Sequence, residues 1–257
     1  AGGVALNCVA NRRLIEEGPF DEVWVQPAAG DDGGSLGAAL WATHQVMGTP
    51  RRVAGGDSMS AGFLGPSFPT SAPGTWLGDE SFPCAEHPDD ETLSRDVASR
   101  IESGQIVGWF QGRMEFGPRA LGNRSILADP RQAETARVIN SRVKGREGFR
   151  PFAPSVTQEA VDRWFDGPTS AFMTTTTMVR SWSPPSPGAD SSSSSDSIDS
   201  FADRLAAVES DLAACTHVDG SARVQVVRSE ANPRFHALIE QFGERTGTAV
   251  LLNTSFN

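Results

Sequence analysis

The sequence contains no tyrosine and only one lysine, Lys144, among 257 residues that include 21 arginines. We attribute this bias to a GC-rich genome, so the choice of arginine over lysine at any one position has little weight. The three cysteines, Cys8, Cys84 and Cys215, are widely separated and lack CxxC spacing. They predict neither a disulfide framework nor a zinc site, and the expected compartment is the reducing cytoplasm.

Long apolar runs and paired histidines are also missing. No apolar run approaches the roughly 20 residues that a membrane-spanning helix needs, so we expect no membrane partner. The hydrophobic content of 38 % is enough for one large or two modest cores, which indicates a soluble globular protein. The four histidines are scattered and form no HxxxH or HExxH pair, and no nucleophilic triad is indicated.

Basic residues are concentrated in one part of an acidic chain. Nine of the 22 lie between Arg113 and Arg150, where there are only four acids, although the whole chain has a formal charge of −10. Guanidinium groups bind phosphate oxygens bidentately, and the negative remainder of the chain repels large polyanions. This distribution favours small phosphorylated ligands over nucleic acid.

The basic segment contains an irregular stretch from Gly112 to Ser125, with the sequence GRMEFGPRALGNRS. On count alone, a solvated arginine face paired with carboxylates explains the basic residues equally well. Three glycines and a proline within these 14 residues instead favour a loop whose backbone approaches a ligand closely.

The remaining pattern is typical of an α/β protein in two parts. Residues 1–50 contain an apolar strand pattern at 22–25 and a helical pattern at 36–47. Residues 51–91 are rich in proline and glycine and predict a linker. In the second part, residues 92–257, the serine-rich stretch 182–200 predicts a disordered insertion.

Helices and strands alternate in the second part. Caps and prolines locate two of its helices, one starting after Asp129 and the other after Asn232. The predicted elements are a helix at 93–101, a strand at 105–110, a helix from 130 to about 142, an extended segment at 149–154, a strand or hairpin at 216–227, a helix from 233 to about 247, and a final strand at 249–252.

Three short motifs offer further polar groups. The loop Asp31-Asp32-Gly33-Gly34 precedes a helix, where a carboxylate can reach a metal or a ribose, although a simple helix cap is the alternative. His217 and Arg223 flank an Asp-Gly turn that also suits an ordinary hairpin. Asn253-Thr254-Ser255 presents an amide and two hydroxyls, which suit a phosphate or a carbamoyl group.

Taken in order, these motifs resemble the O-carbamoyltransferases of nodulation-factor and antibiotic biosynthesis. The resemblance implies the end of an actin-like ATPase-fold domain followed by a YrdC-like α/β domain. It also implies that the YrdC-like domain converts carbamoyl phosphate and ATP, with magnesium, to carbamoyladenylate. The actin-like domain would transfer the carbamoyl group to a hydroxyl of a small-molecule or sugar acceptor with a metal, typically iron. The motifs that carry the resemblance are residues 2–7, 30–33, 37–39, 108–125, 149–154, 217–225 and 252–257.

The resemblance also implies roles for individual residues. The expected catalytic residues, which hold carbamoyl phosphate and the triphosphate, are Arg119, Lys144, Arg150 and Arg223. Asp32 matches the family's aspartate metal ligand. The residues expected to bind substrate or nucleotide are Asn253 and Ser255 in the same pocket, Arg113 and Arg124 as second choices, and Gly2, Gly3 and Asn7 in the nucleotide-binding segment.

The sequence departs from the family pattern in lacking the HxxxH-type metal ligands of the N-terminal half. We therefore expect a fragment that is inactive in carbamoyl transfer. Two alternatives stay open: a threonylcarbamoyl-type tRNA-modification protein, against which residues 114–122 and 217–225 argue, and a non-catalytic nucleotide-binding module. The acceptor and the oligomeric state are not indicated, and a homodimer is compatible with the sequence.

Overall fold

The computed structural model describes residues 2–53, 55–68, 83–183 and 209–256. The predicted insertion at 182–200 lies outside these residues except for its first two positions. Trp182 is partly buried against the core, and Ser183 pairs with Glu209 in an isolated antiparallel bridge. The described residues on either side of positions 184–208 therefore lie next to each other.

Two β-sheets organise the described residues, and their order determines what lies at the centre. A sheet of five strands has the order β1-β2-β8-β3-β7, and a sheet of three strands has the order β4-β5-β6. All neighbouring strands are antiparallel except β3 and β7. The strands are β1 (Val107–Phe110), β2 (Arg124–Ala128), β3 (Ala153–Thr157), β4 (Phe165–Asp166), β5 (Thr177–Val179), β6 (Ser221–Ala222), β7 (Gln225–Val227) and β8 (Val250–Ser255).

Six α-helices accompany the sheets within the described ranges. Short 3₁₀ turns at Gly3–Leu6 and Ser60–Gly62 and π-helical turns at Ala42–Val46 and Ile139–Lys144 complete the helical structure. The α-helices are α1 (Cys8–Glu17), α2 (Asp31–Trp41), α3 (Asp90–Glu102), α4 (Ala133–Val138), α5 (Val161–Trp164) and α6 (Pro233–Thr246).

Helices α3 and α6 pack on one face of the large sheet and form the main core. The sequence prediction for α6 is confirmed: Asn232 caps its start, Pro233 occupies the first turn and Gly247 ends it in a left-handed conformation. Its four apolar residues at helical spacing are fully buried, together with Ile101 of α3 and Leu251 of β8. The four are Phe235, Leu238, Ile239 and Phe242.

The large sheet is thus mixed, and the α/β class predicted from the sequence is confirmed. The strand predicted at 105–110 is observed as β1, and the final strand extends through Ser255, beyond the predicted end at Leu252. Because β8 is hydrogen-bonded to β2 and β3, its polar residues lie inside the sheet and not at a free tip. The pairing of this longer strand places Asn253 opposite Leu127 of β2 and Ala153 of β3.

Two local predictions were wrong, and a third is confirmed only in part. Residues 22–25 form no strand, because no described strand lies beside them to complete a ladder. Asp129 does not cap a helix: its carboxylate accepts from the backbone N–H of Arg131, two residues on, and α4 starts only at Ala133. Residues 216–227, predicted as a strand or hairpin, contain the short strands β6 and β7, but these do not form a hairpin because β6 pairs with β5 and β7 pairs with β3.

The helix predicted at 36–47 is observed as α2 and the following π-helical turn, but its apolar side chains are not covered. Leu40 and Met47 are exposed, as is Trp41 between them. Within the described ranges, no helix combines the length and apolar character that a bilayer crossing demands.

Gly122 offers a test of the contact between the loop that follows β1 and helix α6. It has φ +102°, and an added Cβ would lie 2.2 Å from the ring of Phe235. Gly122→Ala should therefore lower the free energy of unfolding by about 2–4 kcal/mol, from backbone strain and overpacking. Chemical denaturation measures this. Gly148→Ala is the control, because an added Cβ meets no atom within 4 Å there, and equal stability of the two variants would contradict this packing.

Candidate anion-binding site

The loop between β1 and β2 is shaped by one buried carboxylate, that of Glu115. Its Oε1 accepts hydrogen bonds from the backbone N–H groups of Leu121 at 2.7 Å, Asn123 at 2.9 Å and Arg124 at 3.3 Å. A carboxylate that satisfies several otherwise unpaired backbone donors fixes an irregular loop firmly. The segment that contains Arg119 is therefore held in one conformation.

Buried amide side chains fasten the same loop to helix α6. Gln111 Nε2 donates to Asn232 Oδ1 at 2.7 Å and to Asn123 Oδ1 at 3.0 Å. Asn232 Nδ2 in turn donates to Asn123 Oδ1 at 2.9 Å. Because Asn232 also caps α6, the start of this helix and the arginine loop are fixed relative to each other.

A cavity of about 120 Å³ lies where this loop meets strands β3 and β8. Its apolar wall includes Phe152 and Met173, and Met173 has a left-handed backbone with φ 56°. Such strain in a buried non-glycine residue is typical of functional sites. The polar side chains that line the cavity are Arg119, Arg146, Arg223, Asn253, Thr254 and Ser255.

The cavity contains positive charge without a carboxylate to balance it. No acidic residue lines it, and within the described ranges neither Arg119 nor Arg223 has a hydrogen-bond or ion-pair partner for its guanidinium group. The Nε atom of Arg119 is buried and unpaired. A buried cation without a partner is costly, which indicates that the cavity is built for an anion.

The protonation behaviour of the arginines agrees with this arrangement. Burial lowers the pKa of Arg223 to about 10, and repulsion by Arg119 and Arg146 contributes to that shift. Burial also lowers the pKa of Arg119 and of Arg146 from their ordinary values. All three still carry a charge at neutral pH, so they can bind an anion without first taking up a proton.

Lys144 contacts Ser255, a residue of the cavity wall. Its Nζ donates to the backbone oxygen of Ser255 and lies 3.3 Å from the Ser255 Oγ. Burial lowers the pKa of this lysine, and repulsion from Arg146 contributes a smaller shift in the same direction. The π-helical turn that ends at Lys144 thus brings a fourth cation to the end of β8.

Three other predicted arginines make different contacts. Arg150 is exposed and pairs with Glu147 at 2.9 Å. Arg113 donates to the backbone oxygens of residues 64 and 65, at 2.8 and 3.0 Å. Arg124 donates to the backbone oxygens of residues 111 and 112, at 2.5 and 3.1 Å, and stacks on Phe110. None of the three lines the cavity.

The N-terminal segment lies beside the cavity but not in its wall. Gly2 and Gly3 are exposed at the first 3₁₀ turn, and Asn7 caps α1 by accepting from the N–H of Ala10 at 3.0 Å. Cys8, at the start of α1, lies near Arg119 and Arg223. This proximity was not evident from the sequence.

Asp32 does not form a metal site with the other described residues. It is exposed in the first turn of α2. In the described part of the chain, no group of three or more histidine, cysteine, aspartate or glutamate side chains could hold a metal ion. A transition metal such as iron generally needs three or more protein ligands, so the described residues do not fit iron.

Sequence reasoning missed Arg146 and Met173 as residues of the cavity wall. Arg146 lies in the basic segment, so charge clustering included it without distinguishing it from its neighbours. Its Nε donates to Asn140 Oδ1 at 2.7 Å, which orients the guanidinium group. For Met173 nothing in the sequence marks the cavity, because residue type and spacing do not reveal a left-handed backbone.

The unbalanced charge predicts a trade-off between stability and binding. Arg223→Met should raise the melting temperature of the ligand-free protein at pH 7, by about 2–4 °C for each kcal/mol gained. Because burial lowers the folded-state pKa of Arg223 to about 10, below its ordinary value, its charge opposes folding fully below about pH 10 and less as the pH rises further.

Thermal denaturation with and without inorganic phosphate measures both effects. Phosphate should stabilise the wild type and leave the variant unchanged. Arg142→Met, at an exposed position of the same turn, is the control and should not alter the response to phosphate. A variant at Arg223 that is less stable than the ligand-free wild type would contradict the proposed electrostatic cost.

Comparison with known proteins agrees with the resemblance that the motifs indicate. Residues 98–257 match the family model described as carbamoyltransferase C-terminus, and residues 1–40 match the one described as carbamoyltransferase N-terminus. Three similar curated proteins each align with 100 % of this chain. An uncharacterized protein of Synechocystis sp. is 46 % identical, and the alignment covers 41 % of its length. Nodulation protein NolNO of Sinorhizobium fredii is 41 % identical with 34 % of its length covered, and 3'-hydroxymethylcephem-O-carbamoyltransferase of Amycolatopsis lactamdurans is 34 % identical with 42 % covered.

The chain spans 34–42 % of the length of these curated relatives. The C-terminal family model alone covers more than half of the chain, and the resemblance noted in the sequence is confirmed. The chain belongs to the carbamoyltransferase family.

Proposed function

We propose that this chain is part of an O-carbamoyltransferase and that its cavity binds carbamoyl phosphate for activation with ATP. The observation that carries the proposal is the set of Arg119, Arg146 and Arg223 around a small cavity, uncompensated by acids, in a member of the carbamoyltransferase family. Guanidinium groups bind phosphate bidentately, and a small cavity selects a small phosphorylated ligand.

The proposed chemistry needs fixed positive charge more than a protein nucleophile. Carbamoyl phosphate and water give carbamate and phosphate, and a carbamate oxygen then attacks the α-phosphorus of ATP while pyrophosphate leaves. The product is carbamoyladenylate. Each of these steps brings negatively charged oxygens together, and preorganised cations lower the free energy of such transition states. Arg119, Arg146 and Arg223 supply these charges, and Lys144 adds one beside Ser255.

The second half of the reaction is transfer to an acceptor hydroxyl, whose oxygen attacks the carbamoyl carbon as AMP leaves. The relative from Amycolatopsis lactamdurans is named for O-carbamoylation of a hydroxymethyl cephem, which supports a hydroxylated small-molecule acceptor. We further propose that residues 92–257 form a YrdC-like activating domain and that residues 1–50 belong to an actin-like transfer domain. Magnesium would accompany ATP, and Asp32 would be one ligand in a metal site completed by other residues.

Binding of carbamoyl phosphate tests the assignment of the cavity. Arg119→Ala or Arg146→Ala should weaken binding by about 1.5–3 kcal/mol, because each removes a set of charged hydrogen bonds. Isothermal titration calorimetry at fixed salt measures the change. The control is Arg142→Ala, because Arg142 is exposed and lies outside the cavity. We expect a smaller effect for Arg150→Ala, since its guanidinium pairs with Glu147. Unchanged affinity in both cavity variants would contradict the proposal.

Pyrophosphate release tests the activation step separately. The chain, supplied with carbamoyl phosphate, ATP and magnesium, should release pyrophosphate and form carbamoyladenylate, and Arg223→Met should abolish both. No carbamoylated product is expected from a panel of hydroxylated acceptors, because the described residues do not form a transfer metal site. Pyrophosphate release that does not depend on carbamoyl phosphate would show that another substrate is activated.

A further inference from the structure

Residues 62–66, which we call the strap, lie along the first part of the loop between β1 and β2. Three backbone hydrogen bonds join the two segments, although neither is a strand. Named from N–H to oxygen, they run from residue 65 to 114 at 2.8 Å, from 114 to 66 at 2.9 Å and from 116 to 62 at 2.7 Å. The strap therefore restrains residues 114–116, which lead into Arg119.

Arg113 adds its side chain to the same contact. Its Nε donates to the backbone oxygen of Gly65 at 3.0 Å, and its Nη2 donates to that of Leu64 at 2.8 Å. A planar guanidinium group holds two adjacent carbonyl oxygens in a fixed geometry, and hydrogen bonds from a charged donor are stronger than neutral ones. The donors of Arg113 are therefore directed to the strap and not to the cavity.

The strap also packs against residues of the cavity wall. The ring of Phe63 lies against a buried cluster that contains Leu121, Ala153 and Met173. Ala153 and Met173 line the cavity, and Leu121 follows Arg119 by two residues. Displacing the strap would therefore loosen the wall as well as the loop.

The guanidinium group of Arg119 depends on its loop for its position. Its Nε is buried and has no hydrogen-bond partner among the described residues, whereas Arg146 is oriented by Asn140. Glu115 restrains the loop after Arg119, through the N–H groups of residues 121, 123 and 124. A binding group is held precisely only when the residues around it fix its backbone and rotamer. Before Arg119, the strap supplies the restraint that Glu115 supplies after it.

We propose that Arg113 is a positioning residue: by holding the strap against the loop, it fixes Arg119 where that arginine can bind phosphate. This inference rests on the proposed function, because it assumes that Arg119 contacts the phosphate group of the ligand. Arg113 then affects phosphate binding only through Arg119. Residues that act through one another give non-additive effects in a double-mutant cycle, whereas a general loss of stability lowers the affinity with or without Arg119.

Calorimetric titration with inorganic phosphate measures this coupling in the wild type, Arg113→Ala, Arg119→Ala and the double variant. Arg113→Ala should bind phosphate at least about fivefold more weakly than the wild type. In the Arg119→Ala background, the same substitution should change the affinity by less than about twofold. Arg142→Ala, at an exposed position outside the cavity, is the control and should match the wild type.

Gly65→Ala disturbs the strap without removing a charge. An added Cβ would lie 2.8 Å from the backbone oxygen of Met114, so the two segments must move apart. This variant should weaken phosphate binding in the same Arg119-dependent way. Gly55→Ala is its control, because an added Cβ meets no atom within 4 Å there.

Hydrogen exchange tests the restraint without a ligand. In Arg113→Ala, the amides of residues 113–122 should exchange faster than in the wild type, while those of residues 238–242 in α6 should keep the wild-type rate. Unchanged exchange in the loop would overturn the proposal, even if the double variant binds phosphate too weakly to be measured.

The outcomes separate this inference from the proposed function. If the wild type binds phosphate and Arg113→Ala binds it equally well, the role of Arg113 is overturned and the phosphate site stands. An equal loss of affinity with and without Arg119 overturns it in the same way, because Arg113 would then act independently of Arg119. If the folded wild type binds neither inorganic phosphate nor carbamoyl phosphate, the proposed function itself fails, and this inference fails with it.

Discussion

Repulsion of the buried Arg223 by Arg119 and Arg146 is the constraint on which the rest of the site depends. Each guanidinium group is at least partly desolvated, and repulsion by the other two contributes to the lowered pKa of Arg223. Like charges do not stay together in a partly desolvated cavity unless the surrounding structure holds them there. The interactions around the cavity supply that restraint, and a bound anion would relieve the repulsion.

The restraint comes from three directions in the fold. The carboxylate of Glu115 accepts backbone hydrogen bonds from both sides of a glycine-rich turn, which holds the loop that carries Arg119. Asn140 orients Arg146, and the pairing of β8 with β2 and β3 places Asn253 and its neighbours in the cavity wall. Helix α6 anchors the loop through its capping asparagine and through Phe235, which packs against Gly122. The core of the sheet and the binding site are therefore parts of one structure.

The chemistry that suits this site is electrostatic. A cavity lined by three arginines and by no acidic residue suits a small anionic ligand. The chain belongs to the carbamoyltransferase family, and we propose carbamoyl phosphate as that ligand. The exposed apolar side chains of α2 and the single carboxylate of Asp32 belong to a different part of the surface, and the described residues give them no comparable site.

The sequence by itself determined the α/β class, the helices α3 and α6, the family and the segment that supplies the cations. It could do so because hydrophobic spacing, capping residues and charge clustering are local properties of the chain. Only the tertiary structure decided which cations meet. Arg124 lies in the same basic segment as Arg146 but donates to backbone oxygens at 111 and 112, whereas Arg223, from a later part of the chain, lies near Arg119. Spacing along the chain carries no information about such long-range contacts, and Asn253 joins the cavity wall only when strands β2, β3 and β8 are assembled.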